Sequence, residues 1–98
     1  MDARSLAILE SIMRVLIPDP LRSYTAGIAV VNAPGATLAE LVDELDRRYP
    51  GLRFRIIDEQ GGIRRHIKFF VNGLQACDLR PMLRERDEVM IVCALSGG

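Results

Sequence analysis

The sequence ends on Leu95, Ser96, Gly97 and Gly98, a tail whose final carboxylate could take part in chemistry. The two glycines lack a Cβ, so their backbone can pass close to protein walls and to a bound nucleotide. The terminal carboxylate is unhindered and ionised at neutral pH. It can therefore attack the α-phosphate of ATP and form an acyl-adenylate, which sulfide or a thiol then opens. This chemistry makes Gly98 the predicted reactive residue and residues 94–98 a predicted flexible tail.

Cys93 is the last residue of a predicted strand, and the five residues after it span about 17 Å when fully extended. A tail of that length can enter a narrow tunnel in a partner enzyme. A frayed terminus is the alternative, because the ends of most chains are poorly ordered. The combination of the tail with a small domain whose final strand leads directly into it favours the chemical interpretation.

Strands are predicted where apolar residues alternate, and a helix where they recur every three or four residues. Thr37 and Glu40 fit the capping box that begins a helix, and an apolar stripe from Leu38 to Tyr49 continues it. The predicted strands are residues 12–17, 27–33, 64–72, 88–93 and, as a short edge strand or loop, residues 74–79. This order predicts an α+β fold in which a mixed sheet of four to five strands is covered by one main helix.

Three segments fit this scheme less directly. Residues 1–11 form a predicted N-terminal extension before the domain at residues 12–93. Residues 52–57 fit either a helical turn or a short extended piece. Residues 81–85 fit one helical turn with Leu83 pointing inward.

The composition excludes several classes of protein. The chain has 98 residues, with 13 basic and 13 acidic side chains and 49% hydrophobic residues. These values suit one packed domain and argue against a nucleic-acid partner. The apolar stretches fall far short of the roughly 20 residues that span a membrane. The first residues lack the features of a secretory signal, so a cytoplasmic protein without a membrane partner is expected.

No set of side chains forms a recognisable active site. The sequence has no carboxylate pair or Ser/His/Asp arrangement at a recognisable spacing, and its one histidine is His66. Cys77 and Cys93 are not spaced as a CxxC pair, so two reduced thiols and no metal site are expected. The protein is therefore predicted to have no catalytic residues of its own.

Short motifs distributed along residues 12–98 carry a further signal. They are Ile17-Pro18, Leu21-Arg22, Thr25-x-Gly27, Gly35-x-Thr37-Leu38, Phe70-Val71-Asn72-Gly73, Asp87-Glu88-Val89-x-Ile91 and the final Leu95-Ser96-Gly97-Gly98. With these motifs the chain resembles the MoaD/ThiS family of ubiquitin-like sulfur carriers, which have a β-grasp fold. The first three motifs are closest to the carriers used for cysteine synthesis and are shared by many molybdopterin synthase small subunits. Two departures are Arg86, where many relatives have glycine, and Cys93-Ala94, where many have proline.

The resemblance implies a cycle in which the protein is a co-substrate rather than an enzyme. An E1-like adenylating enzyme activates Gly98 with ATP and Mg²⁺, and sulfur is then installed to give a C-terminal thiocarboxylate. A second enzyme accepts the sulfur: a molybdopterin synthase large subunit, with the carrier as the small subunit, or an enzyme of the cysteine synthase type. ATP and Mg²⁺ are used by the activating enzyme, so the resemblance implies no permanently bound cofactor.

The resemblance also implies that partners dock on the face of the sheet away from the helix, together with the tail. Strand alternation places Phe70, Met90 and Val92 on that face, with Leu16 as a further candidate. The alternative is a set of scattered surface hydrophobes, or a face covered by residues 1–11.

Lysine is rare in this chain. Twelve of the 13 basic residues are arginine, and only Lys68 is lysine. Few side-chain amines are therefore available to compete for an activated acyl group, and long self-linked chains are not expected. Arg64 and Arg65 form a small basic cluster with Lys68. This cluster either meets an acidic partner surface or is a solvated strand end.

Two other functions remain open from the sequence. A ubiquitin-like modifier would be joined through Gly98 to lysines of target proteins, and a β-grasp adaptor would bind its partners with an inert tail. The pathway is also open. Molybdopterin and cysteine synthesis rank above thiamin synthesis, because thiamin-type carriers usually lack a segment like residues 52–65.

Overall fold

A five-stranded sheet with helices packed on one face forms the domain in a computed structural model, which describes residues 12–94. The predicted extension at residues 1–11 and the tail residues 95–98 lie outside the described residues. The elements in chain order are β1 (Ile12–Leu16), β2 (Val30–Pro34), α1 (Leu38–Arg48), α2 (Leu52–Ile56), β3 (Ile67–Val71), β4 (Leu74–Ala76) and β5 (Glu88–Cys93), with a 3₁₀ turn at Asp19–Leu21. The predicted mixed sheet with one main helix is confirmed.

The last strand lies in the middle of the sheet. The strand order is β2-β1-β5-β3-β4. β5 pairs in parallel with β1 and antiparallel with β3, whereas β1 with β2 and β3 with β4 are antiparallel. β5 pairs with β1 at Glu88–Met90 and with β3 as far as Cys93, so the strand is held in the sheet up to its last residue.

The core lies between the sheet and helix α1. Side chains alternate along each strand, so one face of the sheet is buried while the other points away from the helices. The buried strand residues include Met13, Val15, Ile67, Phe69, Val89 and Ile91, and they form one cluster with Leu38, Leu41, Val42 and Leu45 of α1. In β3, Ile67 and Phe69 are buried and Val71 is only partly buried.

Helix α1 begins and ends where the sequence predicts. The Thr37 hydroxyl accepts a hydrogen bond from the backbone N–H of Glu40 at 3.2 Å, which satisfies one of the free donors of the first turn. In the last turns, Arg47 and Arg48 donate to the Glu44 carboxylate and lower its pKa to about 2. Arg48 also donates from Nη1 to the Asn32 carbonyl at 2.7 Å, so this cluster links α1 to β2.

The second strand starts later than the sequence predicts. Residues 22–27 form turns instead, and the strand begins at Val30. Thr25 is fully buried there, and its hydroxyl donates to the Ile28 carbonyl at 2.8 Å. Ala26 and Gly27 have positive φ, which ends any extended backbone at this point. The hydrogen bond from the buried Thr25 hydroxyl to a nearby carbonyl therefore favours a turn where the strand is predicted to begin.

Two other segments are decided by hydrogen bonds between residues that are distant in sequence. Residues 52–57 contain the short helix α2, and β3 begins at Ile67 rather than Arg64 because the Arg64 N–H donates to the Ile56 carbonyl. The helical turn predicted at residues 81–85 is wrong. The Leu83 N–H donates to the Ala36 carbonyl and holds this segment against the start of α1. Leu83 itself is buried, as predicted.

Gly35 is expected to resist substitution because its backbone lies against the first turns of α1. A Cβ at Gly35 would lie 2.7 Å from the backbone nitrogen of Leu41 and 2.8 Å from its Cα. Gly35→Ala is therefore expected to lower the free energy of unfolding by about 1–3 kcal/mol, measured by urea denaturation.

Gly62→Ala is the matched control. Its Cβ would meet a side-chain oxygen of Asp58 at 3.3 Å and no backbone atom within 4 Å. A change below about 0.5 kcal/mol is expected for this surface loop. Equal losses in the two variants would contradict the steric explanation for Gly35.

Candidate functional site

The tail leaves the domain at the end of the central strand. Cys93 is the last residue of β5 and pairs with Ile67 of β3. The backbone N–H of Ala94 donates to the His66 carbonyl at 2.7 Å, so the chain is still bound to the sheet at the last described residue. Residues 95–98 lie outside the described part of the chain, and the reactive role of Gly98 stays a prediction.

An apolar row crosses four strands on the face of the sheet away from the helices. Val30 of β2 pairs with Leu16 of β1, Leu16 pairs with Met90 of β5, and Met90 pairs with Phe70 of β3. Cross-strand partners point to the same face, so these four side chains are neighbours. We call them the outer row. Met90 at its centre is 40% exposed and Val30 at its edge is 36% exposed.

The three residues predicted to dock partners lie together on this outer face. Phe70 and Met90 are direct cross-strand partners, and Val92 lies two residues further along β5 toward the tail. Val92 pairs in turn with Lys68 of β3. The apolar surface thus extends from the centre of the sheet to the base of the tail. The docking role of these residues stays a prediction.

Val30 belongs to this surface, although it is not among the predicted docking residues. Val31 and Ala33 are buried, so the alternation of side chains along β2 makes Val30 point outward. Which residues it meets across the sheet depends on strand register, which a single sequence does not contain. Leu16 does join the row, as its candidate status suggested.

The cysteine beside the tail is not activated as a nucleophile. Partial burial raises the pKa of the Cys93 thiol, and the positive charge of Arg55 only partly opposes this effect. A raised pKa leaves less thiolate at neutral pH, and the thiolate is the reactive form. Cys77 is exposed, and neither cysteine is in a disulfide. The described part of the candidate site is therefore an apolar surface and the end of a strand.

Metal-binding clusters and membrane-spanning helices are absent from the part of the chain that the structure describes. Residues 12–94 contain no group of three His, Cys, Asp or Glu side chains that could hold a metal ion. Thr25, the one buried polar residue in this range, has its hydroxyl bonded to main-chain carbonyls. None of the helices within residues 12–94 is long and apolar enough to cross a membrane.

Comparison with known proteins connects this surface and strand end to a family. A family model described as the ThiS family matches residues 15–98, which includes β5 and the whole tail. The chain belongs to the ThiS family. A curated relative of this ThiS-family chain, the sulfur carrier protein CysO of Mycobacterium tuberculosis, is 32% identical over 89 residues. The match covers 86% of this chain and 96% of CysO.

Solved structures agree with this assignment. The CysO structure in the Amycolatopsis orientalis BexX/CysO complex aligns with a TM-score of 0.81 and 31% identity, covering 88% of this chain and 99% of that one. SAMP1 from Haloferax volcanii aligns with a TM-score of 0.76 and 27% identity, covering 89% and 99% of the two chains. The ubiquitin-like β-grasp fold implied by the sequence motifs is thereby confirmed. This ThiS-family chain is a sulfur carrier protein of the ThiS and CysO type.

Proposed function

We propose that this chain carries sulfur as a thiocarboxylate on Gly98 and delivers it to a biosynthetic enzyme. The observation that carries the proposal is the family match, which continues past the fixed end of β5 through the Gly97-Gly98 terminus. The hydrogen bond from Ala94 to His66 supports it, because it anchors the tail at a defined point. A carrier needs such an anchor so that each partner meets the tail in the same orientation.

The proposed chemistry takes place in two steps at the Gly98 carboxylate. The carboxylate oxygen attacks the α-phosphate of ATP, pyrophosphate leaves, and an acyl-adenylate forms. Hydrosulfide then attacks the acyl carbon, AMP leaves, and a thiocarboxylate with one sulfur in place of one oxygen remains. An E1-like enzyme supplies the ATP site and Mg²⁺, so this chain contributes the acyl group and the surface by which it is held.

The proposed acceptor is an enzyme of the cysteine synthase type. Similarity to mycobacterial CysO over 86% of the chain supports this choice. The first three sequence motifs support it as well, since they are closest to those of carriers used for cysteine synthesis. A molybdopterin synthase large subunit is the second candidate acceptor, and thiamin synthesis ranks below both. The BexX/CysO complex supports the general proposal that a chain of this type binds a second protein.

Sulfur loading in a purified system tests the proposal. The full chain is incubated with an E1-like enzyme from the same genome, ATP, Mg²⁺ and sulfide, and its intact mass is measured. We expect a gain equal to the mass difference between sulfur and oxygen, located on the C-terminal peptide. Omission of ATP is the control. An unchanged mass with an enzyme that adenylates the chain would contradict the proposal.

A protein-modifier function is the second candidate, and the similarity to small archaeal modifier protein 1 favours it. In that case Gly98 would form an isopeptide bond with a lysine of a target protein. Immunoblots of whole cells against this chain distinguish the two functions. A ladder of high-mass adducts that requires Gly98 supports the modifier, and its absence under mild oxidative stress argues against it.

A further inference from the structure

Among the described residues, the basic side chains that form no ion pair are concentrated between positions 55 and 68. Within residues 12–94, six of the twelve basic side chains form no ion pair with another described residue. They are Arg14, Arg55, Arg64, Arg65, Lys68 and Arg84. The chain as a whole has no net charge. The six basic residues are distributed unevenly along the chain, since four of them lie between positions 55 and 68.

Three of these residues lie around the point where the tail leaves the sheet. Arg65 directly precedes His66, whose carbonyl binds the N–H of Ala94. Lys68 is the cross-strand partner of Val92. Arg55 lies near enough to Cys93 for its charge to act on the thiol. We call Arg55, Arg65 and Lys68 the basic collar, and all three side chains are exposed.

Arg64 has a different role and is not part of the collar. Its guanidinium lies 4.9 Å from the centre of the Phe54 ring, and its Nε donates to the Phe54 carbonyl at 2.7 Å. These contacts hold Arg64 against helix α2, as expected for a cation stacked on an aromatic face. Arg55 is on the same short helix, so the Arg64 contact joins α2 to the segment that contains Arg65.

The acidic side chains nearest in sequence, Asp58 and Glu59, form no ion pair with the collar residues. Asp58 accepts hydrogen bonds from the backbone N–H groups of Gln60 and Gly62, both at 2.9 Å, and so belongs to its own loop. Glu59 is exposed and forms no ion pair with a described residue. Exposed cations attract a surface of opposite charge. A partner surface that brings carboxylates to the collar would supply the ion pairs that the described residues do not form.

We infer that the basic collar binds a carboxylate-bearing rim around the tail channel of a partner enzyme. This inference rests on the proposed function, in which the tail enters such a channel. Any enzyme that takes in the tail past Ala94 must face Arg65 and Lys68, which are adjacent to the exit point. Complementary charge at this position increases the rate of encounter and orients the carrier before the apolar outer row makes contact.

Single charge reversals test the collar by direct binding. Arg55→Glu and Arg65→Glu are compared with Arg84→Glu, which reverses an exposed arginine that also forms no ion pair within the described residues. Binding of each full-length variant to the E1-like enzyme is measured by calorimetry without ATP. At low salt we expect each collar variant to bind about tenfold more weakly, and Arg84→Glu to change affinity less than about twofold. The difference should shrink at about 0.5 M NaCl, where exposed charges are screened.

The binding comparison tests the collar independently of sulfur loading. Equal affinities for the three variants at low salt, tighter binding by a collar variant, or a defect that high salt leaves unchanged would each overturn the inference. Unfolding midpoints of all three variants verify that the fold is retained. Failure of the wild-type chain to receive sulfur would contradict the proposed function, whereas the binding comparison would still decide whether the collar meets an acidic surface.

Discussion

Deletion of Gly97 and Gly98 is expected to abolish sulfur loading completely, with no thiocarboxylate detectable by intact-mass measurement. The deletion removes the carboxylate that is proposed to attack ATP and shortens the tail beyond Ala94, so the chain end no longer reaches the nucleotide. The unfolding midpoint should stay unchanged, because the buried core described in the structure lies between Met13 and Ile91. Loss of chemistry with retention of the fold is the combination that identifies a carrier.

Gly97→Ala is the matched control for this deletion. It keeps the length of the tail and its final carboxylate and adds one Cβ, which narrows the passage that the backbone can take. Loading should therefore be slower but still measurable. A truncated chain that supports cysteine or molybdopterin synthesis in cells as well as the full chain would contradict the carrier mechanism and favour an adaptor with an inert tail.

Met90→Asp is expected to weaken binding to the activating enzyme by at least about 30-fold, corresponding to about 2 kcal/mol. Met90 is at the centre of the outer row, paired with Leu16 on one side and Phe70 on the other. A carboxylate there would be desolvated at the middle of an apolar interface without a partner. Titration calorimetry with the purified enzyme measures the change.

Met82→Asp is the control, because it makes the same substitution at a methionine that is 80% exposed. Met82 bridges to Thr37 near the start of α1 and so lies outside the outer row. We expect less than about a twofold change in affinity, as for a surface substitution away from an interface. If Met82→Asp weakened binding as much as Met90→Asp, the outer row would not be the docking surface.

Local patterns in the sequence were sufficient to predict the elements that support the tail. β5 is observed at the predicted residues 88–93, because alternation within one strand contains the necessary information. The cap at Thr37 was likewise predictable, since it depends on residues three apart. The start of β2 was not, because it is decided by the fully buried Thr25, and propensity alone does not show that a hydroxyl is buried.

The candidate site was likewise predictable from the sequence only in part. Phe70, Met90 and Val92 were placed on one face from alternation, and the register adds Val30 to the same row. The sequence does not identify Arg55 as a neighbour of the tail, because residues 52–57 fit either a helical turn or a short extended piece. Its proximity to Cys93 depends on how α2 packs, which involves residues far apart in the chain.

The position of β5 between two hydrogen-bonded neighbours has a mechanical consequence. A partner that draws the tail into a channel pulls on Cys93 along the axis of this strand. Hydrogen bonds to β1 and β3 run across that axis, so the pull loads them together in shear rather than opening them one after another. The load is shared with the parallel pairing of residues 14–16 and the antiparallel pairing of residues 67–71. Traction on the tail would therefore be resisted by the centre of the sheet, and the domain would stay folded if a partner drew in its end.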